Sequence, residues 1–379
     1  MKLAILVTRS LRGSGFATRV VSMLESYSAF GYEVDLFHYR LPHDVELPST
    51  ALSHVREYIE IPLERARVRR HWSVIPPVAW QCGRAHAAHV HASRGYDVVQ
   101  AETSSTWGAA RMVTCDARIV SLHDDDAVRL HHLSKIAPDI AHRASAVLDA
   151  RKFSRWQRMA CEEADRIWFA SGADRDRLGV GRLAGKSRVI PNGASDHLWS
   201  LPLPSMSSPT VLFVGPGFYP ANVHGVEWFL REVWPLVRGS VPGARLRIVG
   251  VAWDGFRQSE GVSFPGWCPS LADEYAQAVV CIAPLFGGGG TKLKVVESMA
   301  AGRPVVTTPI GAEGLPESEG MRVCVEPARF AAGVATFLAE PDAAHSAGVA
   351  NRAAVEDLRW SRVWREAALD LVQLVGPTR

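Results

Sequence analysis

Short runs of apolar and β-branched residues alternate with longer segments of helical periodicity along the chain. The run KLAILVT (2–8) is followed by a glycine turn, by a helix predicted over about 16–30, and by the run YEVDLFHY (32–39). Apolar runs that are separated by helices are typical of strands in a parallel sheet that is covered on both faces. The same pattern predicts further strands at 96–102, 117–123, 164–171 and 187–193.

A segment rich in proline and serine, LPLPSMSSP (201–209), interrupts this alternation and is typical of a linker. The sequence therefore predicts an α/β protein with two doubly wound, Rossmann-like domains at about 1–198 and 207–355, followed by a helical segment over 356–379. Ligands of open α/β sheets bind beyond the carboxyl ends of the strands, so we expect the site in a cleft between the domains. In the second half the pattern predicts strands at 209–215, 244–250, 278–285 and 303–309, and helices at 223–239 and 291–302.

The composition is that of an ordinary globular protein, and it excludes a disordered or fibrous chain. Of 379 residues, 47% are hydrophobic and 21% charged, and the net charge of +3 gives no reason to expect nucleic acid as a partner. The six cysteines are scattered without a CxxC pair, which argues against a disulfide framework and suits a reducing compartment. LAILVT is too short for a secretory signal, and no apolar run is long enough to span a membrane. We therefore expect a cytoplasmic protein.

The strongest candidate site is the glycine-rich run PLFGGGGTKLKVVESMAAG (284–302), in which a predicted strand leads into a predicted helix. Glycines let a ligand approach the backbone, and the free N–H groups of a helix start favour a phosphate. Thr291 is predicted as the N-cap, which puts Lys292 and Lys294 in the first turn, where the helix dipole disfavours cations. An anionic ligand would neutralise them. The alternative is a flexible loop with solvated lysines.

The run GGGGTKLKVVESMAAGRPVVTTPIGAEGL (287–315) resembles the nucleotide-binding segment of family 4 glycosyltransferases, which have the GT-B fold of two facing Rossmann-like domains. FVGPGFYPANVHGVEWFLREVWPLV (213–237) resembles the first strand, loop and helix of the same domain. The resemblance implies retaining transfer of a sugar from a nucleotide-sugar to a hydroxyl acceptor, which is a glycan, a lipid-linked molecule or a small aglycone. It also implies that Glu297 binds the ribose hydroxyls and that the last helix crosses back to the first domain. The predicted donor-binding residues are Gly13, Gly15, Gly217, Asn222, Gly288, Gly289, Gly290, Thr291, Lys292 and Glu297.

Three positions depart from the family pattern. Gly289 stands where many members have a second glutamate that contacts the donor sugar, and Pro216 and His224 stand where two cations hold the diphosphate. The departing diphosphate still needs positive charge, and Lys292 and Lys294 are its nearest source. We expect Lys294 to contact the diphosphate directly and to act in catalysis, because it shares a helix face with Glu297. No metal ion and no cofactor besides the donor substrate are implied.

Two features of the first half suit the same site. The Gly13-Ser14-Gly15 turn is expected near the sugar or diphosphate, although a purely structural turn is the alternative. Read as a dinucleotide fingerprint it is broken, so a nicotinamide enzyme is not favoured. His123 follows a strand at the position where a family histidine touches the donor sugar and the reacting centre, and it is predicted to be catalytic. The alternative is that His123 has only a structural role at the end of the strand.

Other candidate groups have more ordinary interpretations. Asp124 and Asp126 suit the metal pair of the other glycosyltransferase fold, but the second half argues against that fold. Trp228 and Trp234 are expected in the core. The segment 65–80 is basic in its first part and aromatic in its second. Such a segment contacts anionic lipid at the inner face of the membrane or a phosphorylated acceptor. The alternative is a solvated helix end. The spacing of Cys82, His86, His89 and His91 would suit a zinc ion, but a helix with its polar residues on one face gives the same spacing and is the simpler interpretation.

Two other functions stay open at this point. A UDP-sugar 2-epimerase shares the fold, and a non-catalytic sugar-nucleotide-binding protein would explain the three departures. The nucleotide base, the sugar, the acceptor and the oligomeric state are not indicated by the sequence.

Overall fold

The chain folds into two compact units, each built on one parallel sheet. The computed structural model describes residues 1–8, 15–40, 49–63, 75–89, 95–137, 139–179, 181–204, 208–256 and 259–376. The first unit comprises 1–134, 139–191 and 361–379, and the second comprises 135–138 and 192–360. No helix within the described ranges is both long and apolar enough to cross a membrane.

The first unit contains a seven-stranded sheet of order β3-β2-β1-β4-β5-β6-β7, in which every neighbouring pair is parallel. Its strands are β1 (Lys2–Thr8), β2 (Glu33–Arg40), β3 (Glu57–Pro62), β4 (Tyr96–Glu102), β5 (Cys115–Leu122), β6 (Arg166–Phe169) and β7 (Ser187–Val189). Its helices are α1 (Gly15–Ala29), α2 (Ser49–Leu52), α3 (Pro77–His89), α4 (Trp107–Ala110), α5 (Asp126–Lys135), α6 (Ile140–Glu163) and α7 (Gly172–Leu178).

Strand β1 lies at the centre of this sheet and is buried on both faces, as its uninterrupted apolar sequence predicts. Strand β3 lies at the sheet edge. It was not predicted from the sequence, because an edge strand carries a mixed pattern of buried and exposed residues (EYIEIP) rather than an apolar run.

The last helix, α15 (Trp360–Val375), contributes to the first unit although it is more than 150 residues away from that unit's last strand in the chain. The fully buried Trp364 donates its indole N–H to Ser22 Oγ at 2.9 Å and packs against Tyr27. Asp370 accepts a hydrogen bond of 2.7 Å from the indole of Trp168 in β6. The helix is therefore held by buried contacts to both α1 and the sheet.

The second unit contains a six-stranded, entirely parallel sheet of order β10-β9-β8-β11-β12-β13. Its strands are β8 (Thr210–Val214), β9 (Arg245–Val249), β10 (Val262–Gly266), β11 (Val280–Ala283), β12 (Val305–Thr307) and β13 (Met321–Val323). Its helices are α8 (Pro220–Trp228), α9 (Trp234–Ser240), α10 (Leu271–Gln277), α11 (Leu293–Ala300), α12 (Pro309–Ala312), α13 (Pro327–Ala339) and α14 (Pro341–Ala354). Both parallel sheets confirm the predicted doubly wound α/β class.

Other differences from the sequence-based elements include the helix at 223–239 and the domain boundary near 192–198. The helix predicted over 223–239 is interrupted by a π-turn at Phe229–Val233, because Pro235 has no N–H to donate and its ring crowds the preceding turn. The segment 192–198, predicted in the first domain, belongs to the second unit. There Ala194 exchanges backbone hydrogen bonds with Leu358 and Trp360, a long-range pairing that no local pattern reveals.

Candidate active site

The predicted donor loop lies where the strand order of the second unit reverses. Strands β8 and β11 are neighbours, while the chain continues from β8 towards β9 on one side and from β11 towards β12 on the other. The loops that follow β8 (215–219) and β11 (284–292) therefore diverge and leave a crevice at the carboxyl edge of the sheet.

After the glycine loop, α11 begins one residue later than the predicted N-cap implies. Gly288 and Gly290 have φ values of +120° and +60°, a backbone region that side chains disfavour, and Gly289 lies between them. Lys292 is the N-cap residue, with an extended backbone and no side-chain capping bond. The prediction that Thr291 is the N-cap is therefore wrong, and only Lys294 lies in the first turn. The Thr291 carbonyl instead accepts a hydrogen bond of 3.0 Å from Asn192.

Lys294 reaches from α11 to the first turn of α8. Its Nζ donates to Asn222 Oδ1 at 2.7 Å and lies 4.1 Å from the ring centroid of Phe213. Asn222 in turn donates to the carbonyl of Pro216 at 2.9 Å. Burial of the ammonium group lowers the pKa of Lys294 to about 7, although Glu297 opposes this. A proton on Lys294 is thus easily gained when an anion arrives.

Lys292 points elsewhere and already has an anionic partner. Its Nζ donates to the carbonyl of Gly290 and lies 3.6 Å from Glu313 Oε2. Glu313 belongs to the run 287–315, which resembles the family's nucleotide-binding segment. The two lysines therefore diverge, as expected for positions two residues apart near a helix start.

Glu297 lies one turn after Lys294 and is 7% exposed. Burial raises its pKa to about 7, while the hydrogen bond from Tyr275 and the charge of Lys294 act in the opposite direction. Tyr275 Oη donates to Glu297 Oε2 at 3.0 Å. Sequence reasoning missed Tyr275, because a tyrosine in a short helix carries no signal of its partner.

The remaining predicted residues of this unit have packing reasons for their identity. A Cβ on Gly217 would lie 2.1 Å from the carbonyl oxygen of Ala252, so the loop tolerates no side chain there. Burial lowers the pKa of His224, whose ring packs edge-on against Phe286 at 5.5 Å. His224 is therefore not a substitute for the missing cation at neutral pH.

In the first unit the strand order reverses between β1 and β4, and a buried acid ends β4 there. Glu102 is fully buried, and its Oε2 lies 2.5 Å from Nε2 of His123, which follows β5. The ring of Phe16 in α1 packs against His123 at a centroid distance of 5.0 Å. His123 thus stands at the carboxyl edge, where ligands of such sheets bind.

Glu102 was missed by sequence reasoning, although a signal existed. The strand YDVVQAE places Gln100 and Glu102 on one face of an otherwise apolar, central strand. Burial alone would raise the pKa of Glu102, but His123 and Arg19 outweigh it and hold the pKa below its usual value. The carboxylate is therefore ionised and matched by nearby positive charge.

The other residues that the sequence predicted in the first unit do not share one place in the structure. Gly13 lies outside the described residues, and Gly15 is the exposed first residue of α1. Asp124 and Asp126 both pair with Arg129, at 3.2 and 2.7 Å. Among the residues that the structure describes, no group of three or more histidine, cysteine, aspartate or glutamate side chains is placed to hold a metal ion.

Of the four residues with zinc-like spacing, two lie in the core and two have side chains outside the described residues. Cys82 is fully buried, and His86 pairs with the hydroxyl of Tyr39 at 2.6 Å. The side chain of His89 and all of His91 lie outside the described residues, as does most of the basic and aromatic segment, 65–74.

The two tryptophans lie where the sequence analysis expected them. Trp234 is a core residue, and Trp228 packs edge-on against Phe330 at 5.4 Å.

Comparison with known sequences finds a glycosyltransferase family model in each half of the chain. Residues 208–340 match the family model described as "Glycosyl transferases group 1", and residues 13–197 match "Glycosyltransferase Family 4". An uncharacterised 44.6 kDa protein of the cps region of Klebsiella pneumoniae is 25% identical over 256 residues, or 64% of this chain. The chain spans 65% of the length of that curated relative.

Solved structures of the same architecture align over nearly the entire chain. Sucrose-phosphate synthase from Thermosynechococcus elongatus superposes with a TM-score of 0.71 at 20% identity, over 99% of both chains. The Anabaena protein HepE, in complex with UDP and glucose, superposes with a TM-score of 0.70 at 16% identity, over 98% of this chain and 99% of that one. At these identities the likeness shows the fold.

Proposed function

The chain belongs to the group 1 glycosyltransferases of family 4, and we propose that it transfers a glycosyl group from a nucleotide-sugar to a hydroxyl acceptor with retention of configuration. The observation that carries this proposal is the placement of Lys294 and Glu297 one helical turn apart at the reversal point of the second unit. A cation and a carboxylate at that spacing match the diphosphate and the ribose hydroxyls of one nucleotide.

The charge requirements of the reaction support Lys294 as the residue that holds the diphosphate. In the transfer, the bond from the anomeric carbon to the phosphate oxygen breaks, and a bond to the acceptor oxygen forms. The nucleoside diphosphate leaves with the electron pair, so negative charge develops on its terminal phosphate. Lys294 is the cation whose present hydrogen bond, to the neutral Asn222, is readily exchanged for one to an anion. Lys292 is already engaged by Glu313.

We propose that this positive charge replaces a metal ion. Asp124 and Asp126, the carboxylates that suited a metal pair, both form ion pairs with Arg129 instead. The N–H groups around Gly290 and Thr291 lie at the end of the loop that precedes α11 and add to the positive potential there. The transfer reaction is therefore expected to continue in EDTA.

A donor screen followed by a transfer assay tests the function. Thermal shift against UDP, GDP, ADP and dTDP identifies the base, and we start from UDP because the structurally similar HepE binds it. The corresponding nucleotide-sugars are then incubated with and without acceptor alcohols, and products are identified by mass spectrometry and by the anomeric proton coupling. Glycoside formation that depends on acceptor supports the proposal. Turnover of the sugar without acceptor indicates the 2-epimerase, and binding without turnover indicates a sugar-nucleotide-binding protein.

Contact with a membrane is a separate proposal, which rests on the sequence of 65–80. Sedimentation with vesicles that contain 30% anionic lipid tests it. Binding that disappears when the four arginines at 65, 67, 69 and 70 are replaced by glutamine supports a peripheral contact. Equal recovery in the supernatant with and without vesicles contradicts it.

A further inference from the structure

The buried carboxylate of Glu102 is held in place by several independent contacts. Besides His123, it lies within 3.3 Å of the hydroxyl of Ser121 and accepts a hydrogen bond from the amide of Gln100. Gln100 is itself held by α1, because Tyr27 Oη donates to its Oε1 at 3.1 Å. A chain of hydrogen bonds therefore runs from α1 through the central strand to the imidazole.

We propose that Glu102 is a positioning residue for glycosyl transfer, which orients the imidazole of His123 through Nε2 and stabilises its protonated form at the donor sugar. This proposal rests on the function proposed above. Because Nε2 faces the carboxylate, the imidazole is oriented with its Nδ1 edge away from Glu102. In the neutral ring, the proton then resides on Nε2, so Nδ1 is the acceptor.

Structural stability alone is a poor explanation for an acid at this position. A buried ion pair is expensive to desolvate, and well-packed apolar residues are often as stabilising or more so. Apart from Gln100, the buried residues around it in the strand are apolar, with Val98, Val99 and Ala101 all fully buried. A charge in this setting indicates a function that needs the charge, and its partner is a histidine at the ligand-binding edge of the sheet.

The electrostatic surroundings leave His123 as the group that responds to Glu102. Within the described ranges, the charged or titratable groups that act on Glu102 include His123 from the end of β5, and Arg19 and Tyr27 from α1. Arg19 is anchored independently, since its guanidinium donates to the carbonyls of Ile190 and Pro191 at 2.9 and 2.7 Å. Burial and the charge of Glu102 both raise the pKa of Tyr27, so it stays neutral. Loss of the Glu102 charge therefore acts mainly on the imidazole.

The test combines Glu102→Gln with a matched control, Asp35→Asn. Asp35 is also fully buried in this sheet, but it lies near the start of β2, where it accepts hydrogen bonds of 2.8 Å from Arg56 and Tyr96. The full-length proteins are labelled with ¹⁵N-histidine, and the His123 resonances are assigned from their absence in His123→Asn. In Glu102→Gln we expect the imidazole to titrate at a pH at least one unit lower, and kcat to fall at least tenfold with little change in donor KM. Asp35→Asn is expected to leave both unchanged, although it lowers the melting temperature.

Three results would overturn the proposal. Unchanged His123 resonances in Glu102→Gln, or an unchanged kcat per folded molecule, would make Glu102 a structural residue. A wild-type imidazole whose neutral form carries its proton on Nδ1 would do the same, and this measurement needs no variant to fold. If wild type transfers no sugar from any donor, the proposed function fails, while the titration still decides whether Glu102 controls His123.

Discussion

Lys294 and Glu297 lie one turn apart on α11, and burial moves the pKa values of both side chains to about 7 from opposite directions. Each group favours the charged form of the other, so the two proton equilibria are coupled. A bound nucleotide would add a diphosphate to one and hydroxyl donors to the other. We therefore expect the affinity of this site for a nucleotide to depend on pH.

The affinity for a nucleotide-sugar is expected to be greatest near pH 7. As the pH falls below 7, Glu297 takes up a proton and no longer accepts from both ribose hydroxyls. As the pH rises above 7, Lys294 loses its proton and no longer attracts the diphosphate. Calorimetric titration from pH 5.5 to 8.5 measures this, with a nucleotide-sugar because its diphosphate does not titrate in that range. A flat profile in wild type would contradict the assignment of both residues.

Lys294→Met is expected to lower kcat/KM by on the order of 10²-fold, because it removes the charge that we propose stabilises the departing diphosphate. Lys292→Met is the matched control. It removes an equal charge two positions earlier, but that charge already pairs with Glu313, so we expect a smaller loss. Steady-state kinetics with and without EDTA complete the test. Full activity in Lys294→Met, or loss of wild-type activity in EDTA, would reopen Asp124 and Asp126 as metal ligands.

Glu297→Ala is expected to weaken nucleotide binding by ~2–4 kcal/mol, since hydrogen bonds to a charged acceptor contribute ~1.5–3 kcal/mol each. Tyr275→Phe removes only the bond that orients the carboxylate, so its effect should be less than that of Glu297→Ala. Calorimetry with the preferred nucleoside diphosphate measures both. Unaltered affinity in Glu297→Ala would show that the ribose lies elsewhere.

His123→Ala is expected to lower kcat far more than nucleotide affinity, because we propose that His123 acts on the sugar rather than on the nucleotide. A structural histidine would instead lower the melting temperature and leave the rate per folded molecule nearly intact. Melting temperature, nucleotide affinity and kcat are measured on one preparation. Equal loss of affinity and rate would place His123 outside the reacting centre.

Trp364→Ala is expected to destabilise the first unit by about 3–5 kcal/mol, the usual loss for a buried tryptophan. The substitution removes a fully buried side chain and its bond to Ser22. Urea denaturation followed by circular dichroism measures the change. Trp267→Ala, at a residue that is 51% exposed, serves as the control and should change stability by less than ~1 kcal/mol. Similar midpoints for both variants would mean that α15 contributes little.

The sequence by itself determined the fold class, the reversal-point loop and the family. Apolar runs such as LAILV report burial on both faces of a strand, and the glycines of 287–290 report the backbone conformation of a turn. These are local properties, because each depends on the few residues around it. The N-cap of α11 lies one residue later than predicted, since local composition alone did not reveal that Gly290 would adopt the left-handed conformation just before the helix.

Only the tertiary structure decided which charged and polar side chains contact each other. Lys294 and its partner Asn222 are 72 positions apart, and Glu102 and His123 come from the ends of two neighbouring strands. The same holds for Lys292 with Glu313 and for Tyr275 with Glu297. A hydrogen bond between distant residues depends on strand order and helix packing to within about an ångström, and the pattern along the chain carries no such precision. The burial that shifts these pKa values likewise arises only when the sheet and its helices close around them.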